Sequence, residues 1–241
     1  LPSTNYFMDI LFYCPDIRTN PEMPEAESRH CARVLRKKEG DSVYITDGKG
    51  YFYRASLLQA HPKRCIVTID EELPQEKEWN YTLHIGFAPT KNIDRMEWFV
   101  EKATEIGIDC FSPLHCRFSE RKHINTARLE NKMVSAMKQS QKSRLPQFND
   151  MVKFEEFIKQ PFEGNKFIAH CYNLPKKPLT EVVEKNTDTL ILIGPEGDFS
   201  EEEVSMSIAH GFTPVSLGTS RLRTETAALV ACHTTQLLNQ L

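Results

Sequence analysis

Two arginines, Arg221 and Arg223, stand just before Thr224 and Glu225 in the stretch SLGTSRLRTETAA, residues 216–228. Guanidinium groups bind phosphates and stabilise charge developing on oxygens, and a nearby carboxylate can act on a proton. Thr224 is expected to cap a helix here, which places the arginine pair beside a helix N-terminus that itself attracts anions. Upstream, LILIGPEGDFSEEEV (190–204) runs from four apolar residues, Leu190 to Ile193, into Gly194-Pro195-Glu196-Gly197. Two glycines and a proline make a stiff turn with bare backbone exposed. Gly197 is expected to close it at positive φ. Ser200 with Glu203 three residues on is a capping box, so a helix opens directly afterwards.

The elements that position these loops alternate from residue 81 onward. Strands are expected at 83–88, 109–114, 166–171, 190–193 and 214–217, and helices at 93–107, 126–143, 200–211 and 224–241. In the first of these helices Ile93, Met96, Val100, Ala103 and Ile106 share one face, and Gly107 ends it. Strands alternating with helices give an α/β domain with a mostly parallel sheet covered on both faces. Ligands in such sheets sit beyond the carboxyl ends of strands. Either loop alone reads as a structural turn with a solvated arginine pair. Two of them, at corresponding ends of successive strands, point to a binding site.

The first seventy residues differ in character. Residues 41–58 and 64–69 are rich in Val, Ile, Tyr, Phe and Thr, with Asp47-Gly48-Lys49-Gly50 reading as a hairpin turn. With ILFYC at 10–14 they suggest a small β-barrel, residues 1–70, carrying one short helix at 25–37. The acidic DEELPQEKEWN segment supplies a linker, taken as 71–80, and the α/β domain covers 81–241.

The 241 residues carry a formal net charge of −3 and contain no apolar run near the ~20 residues of a membrane helix. The net charge neither advertises nor excludes a nucleic-acid partner, because a local basic patch decides that. No charged start leads into an apolar stretch, so no secretory signal is expected; the chain lacks an initial Met, which reads as a processed start. Seven cysteines without a C-x-x-C pair argue against a disulfide framework or a zinc ribbon and for a reducing cytoplasm. The pairs His30-Cys31, His115-Cys116 and His170-Cys171 would point to opposite faces of a strand, so no metal site is expected. No G-x-G-x-x-G, Walker A, G-x-S-x-G or H-E-x-x-H pattern occurs. The residues alone therefore give a non-Rossmann α/β domain with a backbone-lined pocket.

LILIGPEGDFSEEE followed by VSLGTSRLRTETAA closely resembles the signature of the RsmE family of SPOUT-superfamily methyltransferases, which methylate N3 of a uridine in bacterial small-subunit (16S) rRNA. HCARVLRKKEGD (30–41), KNIDRMEWFVEKATEIGI (91–108) and AMKQSQKSRLP (136–146) resemble further family segments. The match departs at Asp198, where a second Gly is usual, at Thr219-Ser220-Arg221, at Lys138 and Lys142, and near Leu11-Phe12, where an early Arg-Phe is missing. The resemblance implies a PUA-like first domain and a C-terminal trefoil knot, the latter a topology no periodicity could suggest. It implies S-adenosylmethionine as cofactor, held by His170, Ile193, Gly194, Pro195, Glu196, Gly197, Ser216, Leu217, Gly218, Leu222, Arg223, Thr224 and Ala227. It also implies a homodimer packed through its last helices, to which the apolar AALVACHTTQLL contributes.

The chemistry this family performs sets further expectations. Uridine N3–H must lose its proton, and charge then spreads onto O2 and O4 of the uracil. Arg223 is expected to stabilise that charge and Glu225 to act as base, although a carboxylate there also simply favours the helix N-terminus. Arg36, Lys91, Arg95, Lys102, Arg117, Arg121, Lys138, Lys142 and Arg144 become expected contacts to RNA phosphates. A buried target base would be unstacked to reach the pocket. Two other readings stay open: a SPOUT ribose 2′-O-methyltransferase acting on tRNA or rRNA, and a non-catalytic RNA-binding module in ribosome assembly.

Overall fold

A computed structural model describes residues 10–241. The chain divides into two compact units, one comprising residues up to Glu78 together with Val134–Leu145, the other Trp79–Met133 and Pro146–Leu241.

The small unit contains β1 (Leu11–Tyr13), α1 (Glu25–Arg29) continuing as a π-helical turn over His30–Val34, β2 (Ser42–Thr46), β3 (Tyr51–Gln59) and β4 (Ile66–Pro74). Its sheet runs β1-β2-β3-β4, with β1 parallel to β2 and the other pairs antiparallel. The hairpin turn falls at 47–50 as its composition requires. Asp47 accepts from the N–H of Lys49 (2.7 Å) and from the Tyr53 hydroxyl (2.9 Å), while Gly48 and Gly50 take φ of 72° and 106°. Phe12, Ile45, Tyr53, Leu57 and Val67 fill the core with the buried thiols of Cys14, Cys31 and Cys65.

Two features bear on the expected boundaries. The expected linker 71–80 is strand as far as Pro74, because β4 continues opposite Tyr51 and its acidic side chains have cationic partners: Glu71 pairs with Arg54 and Glu72 with Arg18. Residues 134–145, placed above in the α/β domain, group with the small unit. There the N–H of Gly50 donates to the Ser143 carbonyl (2.9 Å), the N–H of Leu145 donates to the Gly48 carbonyl (2.9 Å), and Lys138 pairs with Glu27 at 2.6 Å.

The larger unit begins with β5 (Leu83–Phe87), α2 (Ile93–Ile106), β6 (Cys110–His115) and the start of α3 (Thr126–Gln139). It resumes with β7 (Gln147–Phe148), β8 (Val152–Lys153), α4 (Phe154–Phe157), β9 (Asn165–Ala169), β10 (Lys177–Pro178) and α5 (Leu179–Val182). It ends with β11 (Thr189–Ile193), α6 (Glu201–Ala209), β12 (Thr213–Ser216) and α7 (Thr224–Gln240). The sheet order is β10-β12-β9-β11-β5-β6-β7 with β8 also on β6, and every pairing is parallel. β11 lies at the centre with all five residues buried, as its uninterrupted apolar run demands.

α2 starts at Asn92, whose side chain accepts from the N–H of Asp94 (3.0 Å), and ends at Gly107, φ 122°. It buries Met96, Phe99, Val100 and Ala103. α7 buries Ala228, Ala231, Cys232, Thr235 and Gln236. Gln236 donates to the Gly107 carbonyl at 2.8 Å and accepts from the Tyr81 hydroxyl at 2.6 Å, so the last helix is anchored where β5 begins. Of the apolar residues in AALVACHTTQLL, Ala228, Ala231 and Cys232 are buried, Leu229, Val230 and Leu238 are half-buried, and Leu237 is exposed. Among the described residues no helix is long and apolar enough to cross a membrane.

Candidate active site

The loop after β11 is fixed by its own backbone. The N–H of Asp198 donates to the Pro195 carbonyl (2.9 Å), closing the Gly-Pro-Glu-Gly turn. The positive φ expected at Gly197 falls instead on Asp198, at 68°. Aspartate tolerates this left-handed conformation because its short side chain bonds locally. Here Oδ1 accepts from the N–H of Phe199 (2.8 Å) and Oδ2 from the N–H of Cys171 (2.7 Å), joining the loop to the end of β9. The position where the family usually has glycine therefore carries a residue that both takes the turn and ties it down. Gly194 is needed for space: a Cβ there would stand 3.0 Å from the Phe199 nitrogen and 3.1 Å from its ring. The capping box forms as read, with Ser200 Oγ accepting from Glu203 N–H (3.2 Å) and Glu203 accepting from Ser200 N–H (2.8 Å).

The second loop, after β12, meets the first. The helix cap expected at Thr224 is not there; Arg223 holds the N-cap position, without a side-chain cap, and Thr224 is already helical. The buried Thr224 hydroxyl instead donates to the Gly194 carbonyl at 3.1 Å, so it joins the two loops directly. Gly218 adopts φ 120°, and a Cβ added to it would meet no atom within 4 Å, so this loop faces open space. Leu217 and Leu222 are half-buried, and Arg221 and Arg223 are exposed. Glu225 lies in the first turn of α7 at 7% exposure. Its Oε2 has no hydrogen-bond partner among the described residues, and its Oε1 lies 3.7 Å from Arg95 Nε.

His170 completes the group. Ala169 faces Ile193 across the ladder, so His170 leaves β9 next to Gly194. It is 6% exposed, and neither ring nitrogen has a partner among the described residues. Burial lowers its pKa, helped by the nearby Lys176 ammonium and opposed by Asp198, which favours the neutral ring. A buried polar ring left unsatisfied is costly and rare, so His170 stays a candidate for a ligand contact.

A further turn lies against the first loop. The N–H of Arg117 donates to Glu203 Oε1 (2.8 Å), and Arg121 donates to the Thr90 carbonyl (2.9 Å) and the Lys91 carbonyl. The N–H of Lys91 reaches Glu196 Oε1 at 3.3 Å, while its ammonium pairs with Glu120 at 3.2 Å. Between them stands Phe118, which sequence reasoning passes over. An isolated aromatic in a polar stretch carries no periodic signal, and only its contact with Gly197 singles it out.

Most of the remaining basic candidates already have partners. Arg95 faces Glu225, and Lys102 is paired with Glu101 and Glu105 on its own helix, both at 2.8 Å, which raises its pKa. In the small unit Lys138 pairs with Glu27, Lys142 with Glu78 at 3.1 Å, and Arg144 donates to the carbonyls of Lys49 (3.1 Å) and Gln75 (3.4 Å). Arg36 and Arg117 are exposed. Among the described residues no group of three His, Cys, Asp or Glu is placed to hold a metal ion.

Comparison with known proteins agrees over nearly the whole chain. Residues 77–236 match the family model of the RNA methyltransferase domain, and residues 24–70 match that of the RNA methyltransferase PUA domain. A ribosomal RNA small subunit methyltransferase E from Buchnera aphidicola subsp. Acyrthosiphon pisum is 30% identical, over 85% of this chain and 83% of the relative. A solved "probable rRNA-methyltransferase" from Porphyromonas gingivalis is 41% identical with a TM-score of 0.90, covering 95% of this chain and 98% of that one. The ribosomal RNA small subunit methyltransferase E of Neisseria gonorrhoeae, solved bound to S-adenosyl methionine, is 26% identical with a TM-score of 0.80, covering 95% and 97%.

Proposed function

We propose a function from one premise: the chain belongs to the RNA methyltransferase family, with its companion PUA domain ahead of the catalytic one. It is an S-adenosylmethionine-dependent methyltransferase acting on N3 of a uridine in small-subunit (16S) rRNA. The observation that carries this reading is the pair of loops joined from Thr224 to Gly194, with the unpartnered imidazole of His170 beside them.

The residues fit the methyl donor. Gly194 is kept without a side chain by Phe199 packed against it, Gly218 opens onto free space, and His170 offers a buried ring without a partner among the described residues. Backbone from Ile193 through Pro195 and Glu196 to Gly197, and from Ser216 to Leu222, holds the adenine and methionine portions. Thr224 and Ala227 close the wall at the start of α7. The bound donor supplies a methyl group already activated on sulfonium, so the chain's task is chiefly to orient the reactants.

Arg223, fixed by its place at the helix start, meets the charge on the uracil oxygens. Glu225 takes the N3 proton through Oε2, with Arg95 steadying Oε1. Arg117 and Arg36 are the first phosphate contacts by exposure. The C-terminal segment is read as threaded in a trefoil knot, a reading supported by the resemblance. The protein acts in the cytoplasm as a homodimer, for which Trp98, Leu237 and Leu241 supply exposed apolar surface. Sedimentation at micromolar concentration checks the dimer, and a monomer there removes it. Mass spectrometry of 16S rRNA from a strain lacking the protein tests the reaction: one uridine should lose its N3 methyl group and regain it on complementation. A missing ribose methyl instead would replace this reading with 2′-O methylation.

A further inference from the structure

We propose that Phe118 is the platform on which the unstacked target uracil lies during methyl transfer; the inference rests on the reading above. Phe118 is a large apolar side chain, yet it is 47% exposed. A single exposed aromatic is ordinary by itself. This one is distinguished by its position and by how firmly it is held. A Cβ added to Gly197 would stand 3.3 Å from Phe118 Cβ and 3.8 Å from its Cγ, so the root of the side chain rests on the methyl-donor loop. The turn that carries it is fixed from several directions. Cys116 is buried, its N–H donates to Ser119 Oγ (3.0 Å), and its carbonyl accepts from Ser119 N–H (3.1 Å). Arg117 is held through its N–H by Glu203, and Arg121 is held through the carbonyls of Thr90 and Lys91.

A turn so fixed presents the ring with little backbone freedom to lose on binding. A base extruded from an RNA stack gives up its neighbours, and an aromatic face restores that contact. The exposed guanidinium of Arg117, one residue away, suits the phosphate of the same nucleotide.

The test uses the full chain on small ribosomal particles lacking the modification, comparing wild type with Phe118→Ala, Phe118→Leu and Phe118→Trp, with S-adenosylmethionine affinity measured in parallel. Phe118→Ala should lower kcat/KM for RNA roughly 10-fold or more, the range expected for loss of one base–aromatic stack. Affinity for the methyl donor should stay within about twofold of wild type, and Phe118→Trp should restore kcat/KM where Phe118→Leu does not. Equal activity of Phe118→Ala and wild type overturns the proposal. So does rescue by leucine, which would make the contact mere apolar packing, and so does a parallel loss of donor affinity, which would make Phe118 a prop for the loop. A wild-type protein that transfers no methyl group to this RNA overturns the functional reading itself.

Discussion

The loops after β11 and β12 and the basic run from Lys138 to Arg144 are both conspicuous by residue type, but the fold treats them oppositely. The loops come together, joined through Thr224 and Gly194, and leave polar groups of His170 and Glu225 without partners among the described residues. The basic run is engaged inside the small unit, with Lys138 on Glu27, Lys142 on Glu78 and Arg144 on two backbone carbonyls. A site is recognised by what its neighbours leave unsatisfied. A charge whose partner lies 111 residues away in the chain, as Glu27 does for Lys138, looks free in sequence and is not.

The largest expected effect breaks the loop side of this comparison. Gly194→Val should push the loop out of its turn and so abolish measurable S-adenosylmethionine binding, because the new side chain meets the backbone of Phe199. Gly197→Ala should be far milder: its Cβ would meet only Phe118, at 3.3 Å, and Gly197 does not take the positive φ that would add strain. Calorimetric titration of both variants decides the order, and a more damaging Gly197→Ala would move the donor's backbone contacts to the other end of the turn.

Next, Arg223→Ala should lower single-turnover methylation about 100-fold while leaving donor affinity nearly unchanged, as expected for a charge contact made in the transition state. Arg221→Ala should do less, because Arg221 lies in the exposed loop ahead of the helix start that fixes Arg223. The reverse order would give the catalytic role to Arg221.

The basic run answers to a different measurement. Lys138→Ala leaves Glu27 at 9% exposure with no cation, so it should destabilise the small unit by about 2 kcal/mol, between the values for surface and buried pairs. It should leave the salt dependence of RNA binding unchanged, whereas Arg117→Ala should reduce that slope by about 1. Urea unfolding and binding across a salt series separate the two, and a shallower slope for Lys138→Ala would return that lysine to the RNA interface.

What is legible in the sequence follows the same division. Local signals hold: the capping box at Ser200, the hairpin at 47–50, the apolar run of β11 and the glycine after α2 all depend on residues within a few positions. The short strands β7, β8 and β10, two residues each, are too brief for any periodicity to register. Thr224 has the residue type of a cap, but its hydroxyl goes to a carbonyl 30 residues upstream, which no local pattern reveals. The grouping of residues 134–145 with the small unit is hidden for the same reason, since their partners at Gly48 and Gly50 lie far back in the chain. The ligand itself is not readable from spacing; only the resemblance supplies it.

The smallest effect compares two histidines of the larger unit. His84 is satisfied: its Nε2 lies 2.8 Å from Ser112 Oγ, which also accepts from Asn149 (2.8 Å). Burial pushes its pKa down to about 4. His170 is also lowered by burial, but neither ring nitrogen has a partner among the described residues. A histidine with a depressed folded pKa takes up a proton more readily when unfolded, so stability is full above the unfolded value near 6.5 and falls as pH drops toward the folded value. For His84 the loss between about pH 7.5 and 5.5 should be about 1 kcal/mol. His84→Gln should flatten that slope in chemical unfolding, and His170→Gln should flatten it further. Only His170→Gln should also weaken S-adenosylmethionine binding, because only that ring is left for a ligand to meet. If both variants bind the donor as wild type does, His170 is a core residue like His84, and the pocket is built from backbone alone.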